Sequence, residues 1–166
     1  MITFEKATLE DASEIWTIQK NAFEEQARIY DNRNLPPLLQ TLESLIEELD
    51  EKTFLKANVD GKIVGSVRFS VEDDEIRIER LIVDPRFQNM GIGSSLMKRV
   101  EALVGPKKIF KIFTGEKSSK NIRLYEKLGY RVYARTETSH GVALLHMKKT
   151  ITNDKKIKRR GHRSGN

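Results

Sequence analysis

The chain has 166 residues, of which 38% are hydrophobic and none is cysteine, and its formal net charge is +6. That length suits one domain with a substantial core, and the missing cysteine excludes a disulfide framework, a thiol nucleophile and a zinc–thiolate site. The positive charge is local: residues 148–166 hold eight Lys/Arg and one Asp, leaving residues 1–147 with 22 basic and 23 acidic side chains.

The opening MITFEKATLEDASEI alternates and then turns helical. It has no basic segment followed by an apolar one, and no run in the chain approaches the ~20 apolar residues of a membrane span. A cytoplasmic, membrane-free protein is expected. Residues 2–6 read as a strand. Thr8 with Asp11 three residues on has the spacing of a capping box, and Ile15, Ile18, Ala22 and Phe23 form a helical stripe, which predicts a helix to about Phe23. Pro36-Pro37 punctuates a connection, after which Leu42, Leu45, Ile46 and Leu49 repeat as a second helix.

The segments TFLKANV and KIVGSVRFSV flank Asp60-Gly61, the preferred chemistry of a tight hairpin turn. A third strand, IRIERLIV, follows the acidic turn EDDE. Then comes the stretch DPRFQNMGIGSSLMKRVE, where a strand gives way to a helix through two glycines. Ile92, Leu96, Val100 and Leu103 share one helical face, and Gly105-Pro106 ends it. The remainder predicts a strand (109–114), a helix (121–128) stopped by Gly129, and two strands across Ser139-His140-Gly141.

The resulting order, β-α-α-β-β-β-α-β-α-β-β, is an α/β (α+β) fold with a mixed central sheet and helices on both faces. Only the strands before and after the glycine-led helix need be parallel. The basic tail has two isoleucines and no periodicity, so residues 149–166 are expected to be disordered and separate from a domain spanning 1–148. A solvated terminus is its plain reading; a nucleic-acid or ribosome contact is the alternative. His140, His146 and His162 lack the i, i+4 spacing of a helical metal pair, and no metal is expected.

A helix N-terminus presents unpaired N–H donors and the positive end of its dipole, which favour phosphate oxygens. Gly91 and Gly93 remove the β-carbons that would hold such oxygens away, while Ser94 and Ser95 add hydroxyls. The turn suits a diphosphate, although a merely structural turn reads equally well from a lone Gly-x-Gly. GIGSSL is neither a P-loop nor a full dinucleotide fingerprint.

LIVDPRFQNMGIGSSLM and NIRLYEKLGY together resemble the two motifs of the GNAT N-acetyltransferase superfamily. The resemblance covers residues 1–148 and implies acetyl-CoA as cosubstrate and direct acetyl transfer to a primary amine. It implies that the backbone of Leu81, Ile82 and Val83 holds the pantetheine arm and that Gln88, Asn89, Met90, Gly91, Ile92, Gly93, Ser94 and Ser95 hold the pyrophosphate. Asn121 and Tyr125 complete the cofactor side, with Tyr125 as proton donor to the departing sulfur. Asn89-Met90 replaces a more usual basic pair, which removes side-chain cations from the turn.

The base is open among Glu79, Glu116 and a chain of waters. In a regular strand, period two places Glu79 on the face of Leu81 and Val83; a bulge would change that, and an ion pair with Arg77 or Arg80 is the plain alternative. Tyr30 and Asp31, with Glu24 and Glu25 nearby, are the candidate acceptor contacts. A small amine, an aminoglycoside-like compound, a polyamine and a peptide N-terminus remain open as acceptors, as does a homodimer. A module that binds acetyl-CoA without turnover is the rival reading.

Overall fold

The computed structural model describes residues 1–106 and 108–151. Its seven strands form one sheet. They are β1 (Ile2–Lys6), β2 (Thr53–Val59), β3 (Lys62–Glu72), β4 (Glu75–Val83), β5 (Lys108–Gly115), β6 (Arg131–Glu137) and β7 (Ala143–Ile151), in the spatial order β1-β2-β3-β4-β5-β7-β6. Every neighbouring pair is antiparallel except β4 and β5. The helices are α1 (Ala12–Tyr30), α2 (Pro36–Leu39), α3 (Leu42–Glu51), α4 (Ile92–Leu103) and α5 (Ser119–Lys127).

Two cores lie on opposite sides of the sheet. On one, α4 and α5 bury Ile92, Leu96, Met97, Val100 and Tyr125 against Val67, Phe69, Ile76, Ile78, Phe110 and Ile112. On the other, α1 and α3 bury Ile15, Ile18 and Leu45 against Phe54, Ile63 and Ile82. A third cluster, with Ala27, Leu35 and Val142 at its centre, ties the end of α1 and the chain before α2 to the β6–β7 hairpin.

Local signals explain most of these elements. The Thr8 N–H donates to the Asp11 carboxylate at 2.8 Å where the chain turns into α1. Asp60 and Gly61 both take positive φ, 49° and 80°, as a two-residue hairpin turn between twisted strands requires.

Three expectations are corrected. Helix α1 continues past Phe23 to Tyr30, because Glu-Glu-Gln-Ala-Arg are good helix formers and Ala27, one turn beyond Phe23, is buried; it stops at Asp31, which is left-handed with φ 47°. The Pro36-Pro37 pair opens a helical turn, α2, rather than merely interrupting the chain, since proline fits the first helical positions where no N–H is needed. Strand β7 extends through Ile151, so Lys148, Lys149, Thr150 and Ile151 belong to the sheet: Ile151 pairs with Lys108, and the Lys149 ammonium lies 2.8 Å from the Glu101 carboxylate. The expectations for the rest of the tail, including contact with nucleic acid or ribosome, fall on residues 152–166, outside the described residues.

Candidate active site

Strands β4 and β5 pair only from Glu75–Ile78 against Ile109–Ile112. Beyond Ile78 they part. Residues 79–83 of β4 therefore present backbone N–H and C=O groups to an opening instead of to a neighbouring strand. The parting coincides with a bulge. Ser66 pairs with Ile82 and Arg68 with Glu79, so Arg80 and Leu81 together face the single residue Val67, and Arg80 has a φ of 52°.

The bulge inverts the side-chain alternation and corrects the regular-strand expectation for Glu79. Before it, Ile76 and Ile78 face the α4–α5 core; after it, Leu81 and Val83 do, while Ile82 turns to the α1–α3 core. Glu79 thus lies on the Ile82 side, apart from Leu81 and Val83. Its carboxylate accepts a hydrogen bond from Lys52 at 3.1 Å, at the end of α3. Arg77 instead pairs with Glu72, and no contact of ion-pair length joins Glu79 to Arg77 or Arg80 among the described residues.

A cavity of about 670 Å³ opens beside the splay. Leu81, Ile82, Val83, Gln88, Asn89, Gly91, Ile92, Gly93 and Ser94 line it on one side and Asn121 on the other. Met90, 58% exposed, and Ser95 do not line it. Gly91 caps α4 in the left-handed region, φ 79°, and the first α4 amide bonded to it is Ser95 N–H, at 3.0 Å to the Gly91 carbonyl. Among the described residues, the amides of Ile92, Gly93 and Ser94 have no backbone acceptor, and all three residues line the cavity. A β-carbon on Gly93 would sit 3.4 to 3.8 Å from Leu124, Leu81 and Val83, within the gap between α4 and α5.

Cations reach this cavity from the opposite wall. Lys117, Lys120, Arg123 and Lys127 line it, with Glu25 as an acidic neighbour 3.8 Å from Lys120. The motif reading placed no charge there and missed these residues. Their signal was present: Lys120, Arg123 and Lys127 recur at the i, i+3, i+7 spacing of one helical face. This arrangement fits a polyanion such as the diphosphate of CoA, with free amides on one side and cations on the other.

A second cavity, about 270 Å³, meets the first at Phe23, Gln26, Leu81, Ser118 and Asn121. It contains Tyr125 and Glu79. Tyr125 sits one helical turn after Asn121, whose side-chain amide approaches Thr114 Oγ1 at 3.4 Å. The Tyr125 side chain is buried, and its hydroxyl has no hydrogen-bond partner among the described residues. Burial pushes its acidity constant above the ordinary 10.0, so the phenol is fully protonated at neutral pH.

Tyr30 lines this second cavity, but its hydroxyl accepts the Lys117 N–H at 2.7 Å. That approach needs a glycine at 115, where a β-carbon would fall 2.1 Å from the Tyr30 oxygen. Asp31 lines neither cavity; its backbone terminates α1. Glu24 is held by Arg33 at 2.7 Å. Glu116 also lies outside both cavities, in a two-point pair with Arg135 at 3.0 and 3.1 Å that holds its acidity constant below the ordinary 4.5. The structure therefore brings Glu79 and Tyr125 to one cavity and leaves Glu116 and Asp31 out.

Arg80 is half-buried and lines the second cavity. Burial, with Arg68 nearby, lowers it to about 10, which still leaves it charged at neutral pH. Arg68 itself is 1% exposed and bonded to Glu48 at 2.6 Å and to Gln19.

Solved structures define the class to which this sheet belongs. The ribosomal-protein-S18-alanine N-acetyltransferase of Escherichia coli superposes with a TM-score of 0.75 at 18% identity, covering 92% of this chain and 95% of that one. The PaiA N-acetyltransferase of Thermoplasma acidophilum, in complex with coenzyme A, gives 0.77 at 18% identity over 90% of this chain and 99% of that one. At these identities the likeness is one of fold. A glucosamine 6-phosphate N-acetyltransferase of Trypanosoma brucei brucei is 30% identical over 82 residues, 45% of this chain, and the match spans 55% of that relative's length. The family model described as the acetyltransferase (GNAT) domain matches residues 19–151, and the chain belongs to that family of acyltransferases.

Proposed function

We propose that this protein transfers the acetyl group of acetyl-CoA directly to a primary amine of a small molecule. One observation carries the reading: a cavity walled by free amides and cations meets, at Leu81 and Asn121, a second cavity that holds a protonated tyrosine and a carboxylate. Acetyl-CoA supplies an activated acyl thioester. The amides of Ile92, Gly93 and Ser94 with Lys120, Arg123 and Lys127 hold its phosphates, and the edge of Leu81–Val83 that faces away from β3 receives the amide-bearing arm.

An ammonium has no lone pair, so the acceptor must first lose a proton. Glu79, directly or through a water, accepts it. The amine nitrogen then bonds to the carbonyl carbon, the carbon–sulfur bond breaks as Tyr125 Oη gives its proton to the sulfur, and the second proton that the nitrogen sheds in becoming an amide returns to the Tyr125 phenolate, directly or through a water. No covalent enzyme intermediate is needed, in keeping with a chain that has no cysteine.

A small acceptor is favoured over a polypeptide by the strap across the second cavity. Asn32, between α1 and α2, donates its side-chain N–H to the His140 carbonyl in the β6–β7 turn, and the Ala27–Leu35–Val142 cluster packs beneath. A peptide passing between these elements would have to break both. The test is mass spectrometry of reactions holding acetyl-CoA with a mixed panel of small amines and peptides. A gain of one acetyl group on small amines is expected; acetylation of peptides alone would refute the acceptor class, and no acetylation of anything would leave a binding module.

A further inference from the structure

Three cations and two carboxylates meet on the α1–α3 side of β4, and the pairing leaves one cation over. Lys52 spans Glu79 at 3.1 Å and Glu48 at 3.8 Å, and Arg68 takes the other Glu48 contact at 2.6 Å. Arg80 has no carboxylate within 4.0 Å and no hydrogen bond to a protein group among the described residues. Yet it is half-buried, and it is the one Lys or Arg among the described residues lining the smaller cavity. Partial burial of an uncompensated charge is costly. The backbone adds to that cost, since φ 52° disfavours every residue with a β-carbon. Strain and desolvation thus fall on one residue that borders the proposed acceptor cavity and whose side chain forms no ion pair or hydrogen bond among the described residues.

Resting on the acetyl-transfer reading, we infer that Arg80 is a specificity residue which receives an anionic group, carboxylate or phosphate, carried by the acceptor amine itself. The geometry limits the size of that molecule. Arg80 stands between Glu79, the proposed base, and Leu81, where the two cavities meet, so amine and anion lie within one small ligand. A volume of about 270 Å³ lies just below the ~300–1,000 Å³ usual for small-molecule sites. An amino acid and an amino-sugar phosphate share the required chemistry. The guanidinium fork matches either anion in a two-point contact, and the surplus positive charge of the cluster is neutralised only when the anion arrives.

Two matched pairs separate the sources: L-serine against L-serinamide, and glucosamine 6-phosphate against glucosamine. The measurement is kcat/KM for each with acetyl-CoA, in the full chain and in Arg80→Gln, Arg80→Lys and Arg80→Gly. Comparing ratios between proteins cancels the intrinsic basicity of each amine. The expected result is a parent preference for the anionic member of at least one pair, a fall of that preference by tenfold or more in Arg80→Gln and Arg80→Gly, and its substantial recovery in Arg80→Lys. The pair that responds identifies carboxylate or phosphate. Glycine accepts positive φ, so Arg80→Gly is also expected to melt no lower than the parent; a selectivity ratio unchanged within twofold, or a clear fall in melting temperature in Arg80→Gly, overturns the inference.

Equilibrium titration of the same four amines into the CoA-loaded protein keeps the two readings apart. Tighter binding of an anionic amine that is lost in Arg80→Gln, without acetylation of any amine, sinks acetyl transfer and leaves Arg80 standing. Acetylation with no preference for either anion, in binding or in turnover, sinks Arg80 alone.

Discussion

The larger cavity takes one wall from a single stretch of chain and its cations from the opposite wall, whereas the smaller one gathers its lining from across the fold. In the larger, the amides of Ile92, Gly93 and Ser94 and the open edge of Leu81–Val83 derive from one contiguous strand–turn–helix passage, β4 into α4. In the smaller, Tyr30, Glu79, Arg80, Thr114, Tyr125 and His140 arrive from α1, β4, β5, α5 and the β6–β7 turn. A site made of backbone tolerates change in its side chains, which is why the missing basic pair at Asn89-Met90 is offset by cations on α5. A site made of side chains can vary at each position without disturbing the sheet, which is why the proposed function puts acceptor choice there.

The largest expected effect breaks the backbone-built site. A valine at 93 keeps ordinary contact at Cβ but extends its methyls into the gap between α4 and α5. Losing two charge-assisted hydrogen bonds costs about 1.5–3 kcal/mol each, so Gly93→Val should weaken CoA by ~100-fold or more, read by calorimetry on a folded variant. Unchanged affinity would make the turn purely structural.

Next comes the chemical step. Tyr125→Phe keeps the buried ring and removes only the hydroxyl, so CoA affinity should hold while turnover under chemistry-limited conditions falls by ~100-fold. Full turnover would end its role as proton donor. Glu79→Gln should lose less than that ~100-fold, because the carboxylate is shared with Lys52, and the loss should widen as pH falls and the neutral amine grows scarce. A loss independent of pH would mark Glu79 as a binding contact.

The smallest effect concerns stability beneath the acceptor cavity. Burial alone would raise the Glu48 carboxyl, but Arg68, with Lys52 and Gln40, carries it below the ordinary 4.5. A lowered folded value means the native state binds fewer protons, so this stabilisation is present above pH 4.5 and is lost as pH falls through the folded value. Glu48→Gln should cost about 2 kcal/mol near neutral pH, since it strips Arg68 of its charged partner. Its melting temperature should also fall less steeply on acidification than the parent's. Parallel acid profiles would mean that Arg68 draws its stability from its hydrogen bond to Gln19 and from the Phe54 ring, whose centroid lies 4.5 Å from its guanidinium.

What the sequence disclosed follows the same division. The β4–turn–α4 passage, the Asp60-Gly61 hairpin and the Asn121–Tyr125 spacing are local, and each can be read from neighbouring residues. The Arg80 bulge was not legible, because arginine carries no mark of a positive φ and the extra residue is defined only against β3. Glu116 and Arg135 lie 19 positions apart and meet only once β5, β7 and β6 are assembled. Proline at 36 and 37 marked a boundary correctly but concealed which side of it was helical. Non-local pairing decided Glu79 and Glu116, whereas Asp31 was carried into the C-terminus of a longer α1, and Met90 and Ser95 fall outside the cavity within the glycine turn and the first turn of α4.

Amide-resolved hydrogen exchange, measured with and without CoA, tests most directly whether the splay and the glycine turn form the cofactor site. The account requires CoA to slow exchange at Ile92, Gly93 and Ser94 together with amides of Leu81–Val83, against little change in β1 and β2. Protection confined to other parts of the molecule, or none at saturating CoA, would contradict it.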